Sequence, residues 1–260
     1  MVAAPGDGQA SGIRSAAGRS ASTNPATIPV LDTLDDDMDS MAVTLELATA
    51  ADADALAAVH AAAFAHEPVT LLKSLSPAYN HYDQMLPAIQ YWLRTPDATP
   101  IIKAVDAETK SLLGWVCWRL SATASIDGAI PEPTSQDYPQ TPDGLGQFTS
   151  AHMSYWQRSL APTLLPSPHR ILISITIAPA HQRAGVGSAL LAWGLRDNLP
   201  IWVHASEVGN PFFAKHGFTE RARVTLHLDD WAQGASPPST LSTWGTTTFR
   251  YMVYEPSSAQ

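Results

Sequence analysis

ILISITIAPAHQRAGVGSALL, residues 171–191, decides how this chain is read. Ile171, Ile173, Ile175 and Ile177 recur at every second position, and β-branched side chains favour the extended, half-buried backbone of a strand. Pro179 has no backbone donor and closes the ladder. The turn His181-Gln182-Arg183-Ala184-Gly185-Val186-Gly187 follows, and Ala189, Leu190, Leu191 and Trp193 supply the apolar face of a helix. Two glycines at a helix start let the backbone come close to a ligand. The first-turn N–H groups, unpaired within the helix, point outward with the positive end of the macrodipole behind them. A strand, turn and helix in this succession predict a pyrophosphate cradle.

Absent residues narrow the choice of pyrophosphate. A nucleoside-triphosphate loop needs Gly-Lys followed by Ser or Thr, and Gly187 is followed directly by Ser188. A dinucleotide turn needs a third glycine three positions after Gly187, where Leu190 stands. What is left, Gln182-x-x-Gly185-x-Gly187 after an apolar strand, resembles the acyl-CoA-binding motif of the GNAT acetyltransferase superfamily. Taken alone, the same segment also reads as a tight strand-to-helix connection. Downstream, residues 199–206 (LPIWVHAS) read as the next parallel strand after the crossover helix. Residues 210–218 (NPFFAKHGF) resemble a second GNAT landmark, a short helix closed by Gly217 as left-handed cap, with Phe218 opening a further strand. The resemblance runs over roughly residues 43–255 and is weakest in the middle.

Length and composition agree with this. A chain of 260 residues, 45% hydrophobic, can bury one sizeable core without a second domain. It contains no apolar run long enough to span a bilayer. The single cysteine, Cys117, lies in the apolar run 112–118 and reads as a core thiol. It cannot form an internal disulfide, which suits a reducing compartment. The formal net charge of −9 argues against a nucleic-acid partner, which would require clustered Lys and Arg, and is compatible with a cationic amine substrate. Five aspartates between Asp32 and Asp39 carry over half of that excess.

Composition also divides the chain. Residues 1–41 are rich in Ala, Ser, Gly and Pro with almost no large apolar side chain before Val30, and are expected to be a disordered tail. Arg14 and Arg19 in an almost acid-free Ser/Ala stretch faintly resemble a mitochondrial presequence, whereas no hydrophobic signal region exists. The expected location is therefore cytoplasmic, with mitochondrial as the alternative. A domain over 42–256 follows. Its first strand is expected at 43–47, with a helix capped by Asp52 or Asp54 and running to Phe64. A second helix is expected over 79–93, ended by Pro96, and strands at 101–105 and 112–120 flank the polar hairpin loop 106–110. Strand candidates at 223–228 and 248–254 suit a closing hairpin.

The resemblance implies an α/β GNAT fold, with a central, mixed, strongly twisted sheet flanked by helices. Against the minimal fold this chain has a long insertion between the third and fourth strands, about 121–169. Pro131, Pro133, Pro139 and Pro142 make its first half irregular, while 145–160 can form an amphipathic helix. That helix is either a specificity lid over the acceptor site or a core extension.

The chemistry implied is acyl transfer from acyl-CoA, most simply acetyl-CoA as co-substrate, to a small-molecule amine, by direct attack through a tetrahedral oxyanion. A protein acetyltransferase acting on Lys or an N-terminus and a silent CoA-binding regulatory module are the alternatives. The partners would be acyl-CoA and the amine, without nucleic acid, membrane or metal, in a monomer or homodimer. An alkyl ammonium with a pKa of about 10.4 must lose a proton before it attacks, so a carboxylate, imidazole or water relay is required. Glu67, in the loop after the first helix, and His204, on the fifth strand, are the candidate bases. A surface carboxylate and a structural histidine are the plain alternatives. His81 and Asp83 are weaker candidates, on a helix that covers the cleft. In the resemblance the fourth and fifth strands splay apart and take the pantetheine arm between them. Ile175 and Ile177 then supply backbone groups to it, and one of their N–H groups supports the oxyanion. Gln182, Arg183, Ala184, Gly185, Val186, Gly187 and Ser188 would cradle the phosphates, and Asn210 and Phe213 would line the same cofactor site. Many GNAT enzymes carry a tyrosine as general acid where this chain has Phe213, and the neighbouring Phe212 also lacks a hydroxyl. Ser206 is the nearest candidate for a replacement donor or water anchor, or else caps the next turn.

Overall fold

The two strands read from the opening stretch and its sequel form a parallel pair, and the rest of the sheet grows from it. The structure, a computed structural model, describes residues 28–29, 42–121, 128–239 and 241–256. Seven strands carry the fold: β1 (Val43–Leu47), β2 (Ile101–Asp106), β3 (Leu112–Ser121), β4 (His169–Ile177), β5 (Ile201–Ala205), β6 (Thr219–His227) and β7 (Thr246–Tyr254). They lie in the order β1-β2-β3-β4-β5-β7-β6, with only β4 and β5 parallel. Ile28 and Pro29 add a two-residue bridge outside β1, opposite Leu45 and Thr44. The remainder of the tail expected over 1–41 lies outside the described residues.

Helices cover both faces. On one side lie α1 (Ala53–Phe64) and α3 (His81–Arg94), which bury Leu56, Ile89 and Trp92 against Ile101, Trp115 and Cys117. On the other, α6 (Val186–Leu195) sets Val186, Leu190 and Leu191 on Val116, Trp118 and Leu172, and α7 (Asn210–Lys215) adds Phe213. Gly194 of α6 lies flat on Trp118, so close that a Cβ there would stand 2.3 Å from the indole. Cys117 is fully buried, and burial pushes its thiol pKa up, as suits the core thiol expected. Among the described residues no helix is long and apolar enough to cross a membrane.

The elements differ from expectation at their ends and in one omission. The second expected helix begins at His81, because the Asn80 side chain accepts the Asp83 N–H at 3.2 Å and fixes the start. Asp52 occupies the cap position of α1 but does not cap it. Its carboxylate accepts from Thr49 N–H at 2.7 Å and pairs with Lys103 at 2.8 Å. A helix that the sequence reading did not assign, α2 (Pro68–Lys73), follows α1, with Glu67 at its cap position and Pro68 in its first turn.

The β3–β4 connection contains α4 (Pro142–Tyr155), started by Thr141, whose hydroxyl accepts the Gly144 N–H at 3.0 Å. A π-turn over Trp156–Leu160 and α5 (Ala161–Leu164) complete it. Leu145 and Phe148 pack with Leu72, Leu228 and Trp231, so α4 extends the core. Its next turn brings Thr149 and Met153 to the wall of a cavity, so the same helix is also a cover.

Candidate active site

The cavity exists because β4 and β5 part. They pair only at Arg170–Ile201, Ile171–Trp202 and Leu172–Val203, although both strands run further. A bulge explains which backbone groups the parting leaves free. Arg170 N–H donates to Pro200 O, towards β5, whereas Ala178 N–H donates to Leu113 O, towards β3. Alternation along a regular strand cannot give both, since residues an even number apart face the same edge. The pairing of β3 with β4 jumps from Cys117–Ser174 to Trp118–Leu172, so Ile173 is the extra residue. Beyond it, Ser174 and Thr176 turn their backbone groups to β3, and Ile175 and Ile177 turn theirs to the gap. The Ile177 carbonyl accepts from the Gln182 side chain at 3.3 Å, leaving Ile175 the open position.

Where the strands part lies a cavity of about 180 Å³. Its walls bring together five sequence-predicted residues, Glu67, Ile175, His204, Ser206 and Phe213. Burial raises the Glu67 carboxyl pKa, and the Ser206 hydroxyl pulls it partly back. The Ser206 oxygen also accepts the Gly209 N–H at 3.2 Å, the turn-capping role that its sequence position allowed. His204 lies beside Phe249 and Tyr251, with ring centroids 4.5 and 5.0 Å away, and burial holds its pKa down at about 3. It is therefore a neutral imidazole. Phe213, 3% exposed, presents a phenyl face where a phenol was the usual expectation.

The remaining predicted residues form a second group at the start of α6. Gly185 takes φ 82°, a left-handed conformation, and has nothing within 4 Å of a would-be Cβ. The first helical bond runs from Ala189 N–H to Gly185 O, so Val186, Gly187 and Ser188 keep unpaired N–H groups among the described residues. Ala184 and Arg183 are exposed, Arg183 with φ 65°. The Val186 side chain is buried, so only its N–H can serve a ligand. The Ser188 hydroxyl hydrogen-bonds the His216 ring at 3.0 Å, tying α6 to α7. Asn210 opens α7, where its N–H donates to Ser206 O at 2.9 Å.

Two polar residues of the cavity wall, His60 and Lys73, were not singled out from sequence. His60 Nδ1 lies 2.9 Å from His81 Nε2, and Tyr79 Oη lies 2.5 Å from His81 Nδ1. This chain runs from a half-buried phenol to the cavity wall. Burial lowers both imidazoles, His81 to about 4, and raises Tyr79 to about 12. His81, weakly favoured from sequence, thus lines the cavity, whereas Asp83 does not. The second is Lys73, the last residue of α2, 4% exposed and lining the same space. Helical period does place His60 on the inward face of α1 with Ala53, Leu56 and Ala57, whereas Lys73 ends a helix too short for period to orient it.

The fold is shared with known enzymes. An arylalkylamine N-acetyltransferase 2 from Aedes aegypti superposes with a TM-score of 0.54 at 11% identity, over 82% of this chain and 98% of that one. A mosquito arylalkylamine N-acetyltransferase-like protein 5b gives 0.53 at 12%, over 82% and 99%. An agmatine N-acetyltransferase in its apo form gives 0.52 at 12%, over 81% and 98%. No family model matches the sequence, and no curated protein is detectably similar to it. At these identities the likeness establishes architecture, and that architecture is the GNAT acetyltransferase fold that the two sequence landmarks predicted.

Proposed function

We propose that the protein is an acyl-CoA-dependent N-acyltransferase that acetylates a small-molecule amine. The observation that carries this reading is the bulged, unpaired edge of β4 at Ile175, opening into a buried cavity that also holds a carboxyl of raised pKa. The structural neighbours with arylalkylamine and agmatine acetyltransferase names support an amine as acceptor.

The residues present fit acyl-CoA. Unpaired N–H groups of Val186, Gly187 and Ser188 at the positive end of α6 suit a pyrophosphate, with Arg183 beside them. The gap between β4 and β5 offers the Ile175 backbone to an amide-bearing arm. When bound, acyl-CoA supplies an activated thioester whose thiol leaves. The chain's own part is to deprotonate the amine, hold it and stabilise developing charge. Glu67 accepts the amine's proton directly or through water, its raised pKa bringing it nearer to that of the donor. The Ile175 N–H faces the gap and suits a developing oxyanion. The chain His60–His81–Tyr79 offers the proton a way from the cavity to a half-buried hydroxyl. Phe213 has no proton to give the leaving thiol. A thiol pKa of about 8.5 makes thiolate a tolerable leaving group without one, so turnover is slow rather than absent.

Helix α4 roofs the cavity with Thr149 and Met153, which favours a small acceptor over a peptide threaded through an open groove. Thiol release from acetyl-CoA, measured across polyamines, amino acids, aminoglycosides and short peptides, tests the reading. Amine-dependent release supports it. Tight CoA binding with no release for any amine would leave only a binding module.

A further inference from the structure

We propose that the acceptor carries a carboxylate as well as its amine, and that Lys73 holds that carboxylate; this rests on the acyltransferase reading above. Lys73 sits at the far end of α2 from Glu67, 4% exposed, with its side chain in the cavity wall. Among the described residues its ammonium has no carboxylate and no hydrogen-bond acceptor, and its contact is the face of Tyr79, 4.6 Å from the ring centroid. A buried ammonium is strongly disfavoured unless paired. The other lysine built into the fold obeys that rule. Lys103 has Asp52 at 2.8 Å and Glu46 at 3.6 Å, although it is more exposed.

The groups around Lys73 cannot supply the missing charge. Tyr79 stays a phenol, its hydroxyl bonded to His81. His60 and His81 are neutral, and the Lys73 charge is one of the causes that keep them so. Glu67 stands at the opposite end of the same helix, six residues or about 9 Å away along the axis. The anion must come from the cavity's occupant. One carboxyl end and one ammonium end, in a cavity that Phe64, Met85 and Phe249 also line, match an amino acid lying with its amine towards Glu67 and its carboxylate on Lys73. A second cation, as in a diamine, would instead be set beside Lys73.

The test is calorimetry on the full chain saturated with CoA, using three matched pairs: phenylalanine and phenethylamine, arginine and agmatine, 5-aminovalerate and pentylamine. We expect the acid of at least one pair to bind tenfold or more tightly than its amine, and Lys73→Met to erase the difference while Lys73→Arg retains part of it. The inference is overturned if in every pair the amine binds as well as the acid or better, if neither binds, or if the acid's advantage survives Lys73→Met. Should that variant fail to fold, the acid-to-amine ratio of the wild type decides. Thiol release, measured separately, tells the two ideas apart. Transfer to amines but not acids sinks the carboxylate site alone, whereas acid binding without any release sinks the transferase reading alone.

Discussion

Glu67 and Lys73 carry the proposals at the scale of single residues, and each has a measurable signature. If Glu67 takes the acceptor's proton, the rate rises with pH as its carboxyl ionises, above the ordinary carboxylate range because burial raises its pKa. Glu67→Gln should lower kcat/KM by about a hundredfold and remove that acidic limb from the pH profile. A variant that kept the limb would transfer the role to another group. Lys73 makes the opposite kind of prediction, one of stability. Burial lowers its ammonium from 10.5 to about 8. The unfolded chain therefore binds this proton more tightly, and folding is opposed fully below pH 8 and not at all above 10.5. At pH 7 Lys73→Met should stabilise the protein by about 3 kcal/mol, read by urea denaturation, with the gain vanishing in strong alkali. Such a gain would mark a residue kept for binding at the expense of stability. From sequence, Glu67 was legible because it followed a helix at a recognisable place. Lys73 was not, because nothing in Val69-Thr70-Leu71-Leu72-Lys73 says which way a six-residue helix will roll.

Among the elements, the unit β4–turn–α6 was the most legible, since isoleucine alternation, Pro179 and paired glycines act locally. The bulge within it was not. Ile173 looks like any other member of the alternating series, and the extra residue is visible only when β3 is laid beside β4. The same holds for α2 and the true start of α4. Both begin with a proline one residue after a cap position, and before α4 that signal is outweighed by a proline-rich, loop-like composition. The two glycines of the α6 turn should separate on mutation. Gly185→Ala meets no atom but must hold a left-handed backbone, costing about 1 kcal/mol of stability with little loss of acetyl-CoA affinity. Gly187→Trp must displace Phe212, whose ring already lies 3.4 Å from a would-be Cβ, and crowds the unpaired N–H groups beside it. Calorimetry should then detect no acetyl-CoA binding. Undiminished affinity would move the phosphate site elsewhere.

For the whole molecule, the sheet order and the packing of helices on both faces follow from the landmarks together with right-handed crossover geometry. The interior charge state does not. His60, His81 and His204 are all held below their ordinary pKa by burial. Below about pH 6.5 the unfolded chain takes up protons that the folded chain refuses, so stability falls with pH from there towards the folded value, about 4 for His81. Burial lowers His152, His169 and His216 as well, so Glu67, with its raised pKa, opposes this as one group against six. The urea midpoint should therefore be lower at pH 5 than at pH 7.5, well above the range where surface carboxylates titrate. His81→Gln should flatten that difference.

Gly194 resting on Trp118 has a consequence for inheritance. Any side chain at 194 collides with a fully buried indole on the central strand, so Gly194→Ala alone should cost about 1–3 kcal/mol by overpacking. Trp118→Leu alone opens a hole instead and is also damaging. Together the new methyl enters the space that the indole vacates, and the double variant should melt above at least one of its single parents. Each change would then be selected against by itself and tolerated in the other's company. A lineage could cross from one arrangement to the other only by passing through a weakened ancestor, and the two positions would change as a linked pair.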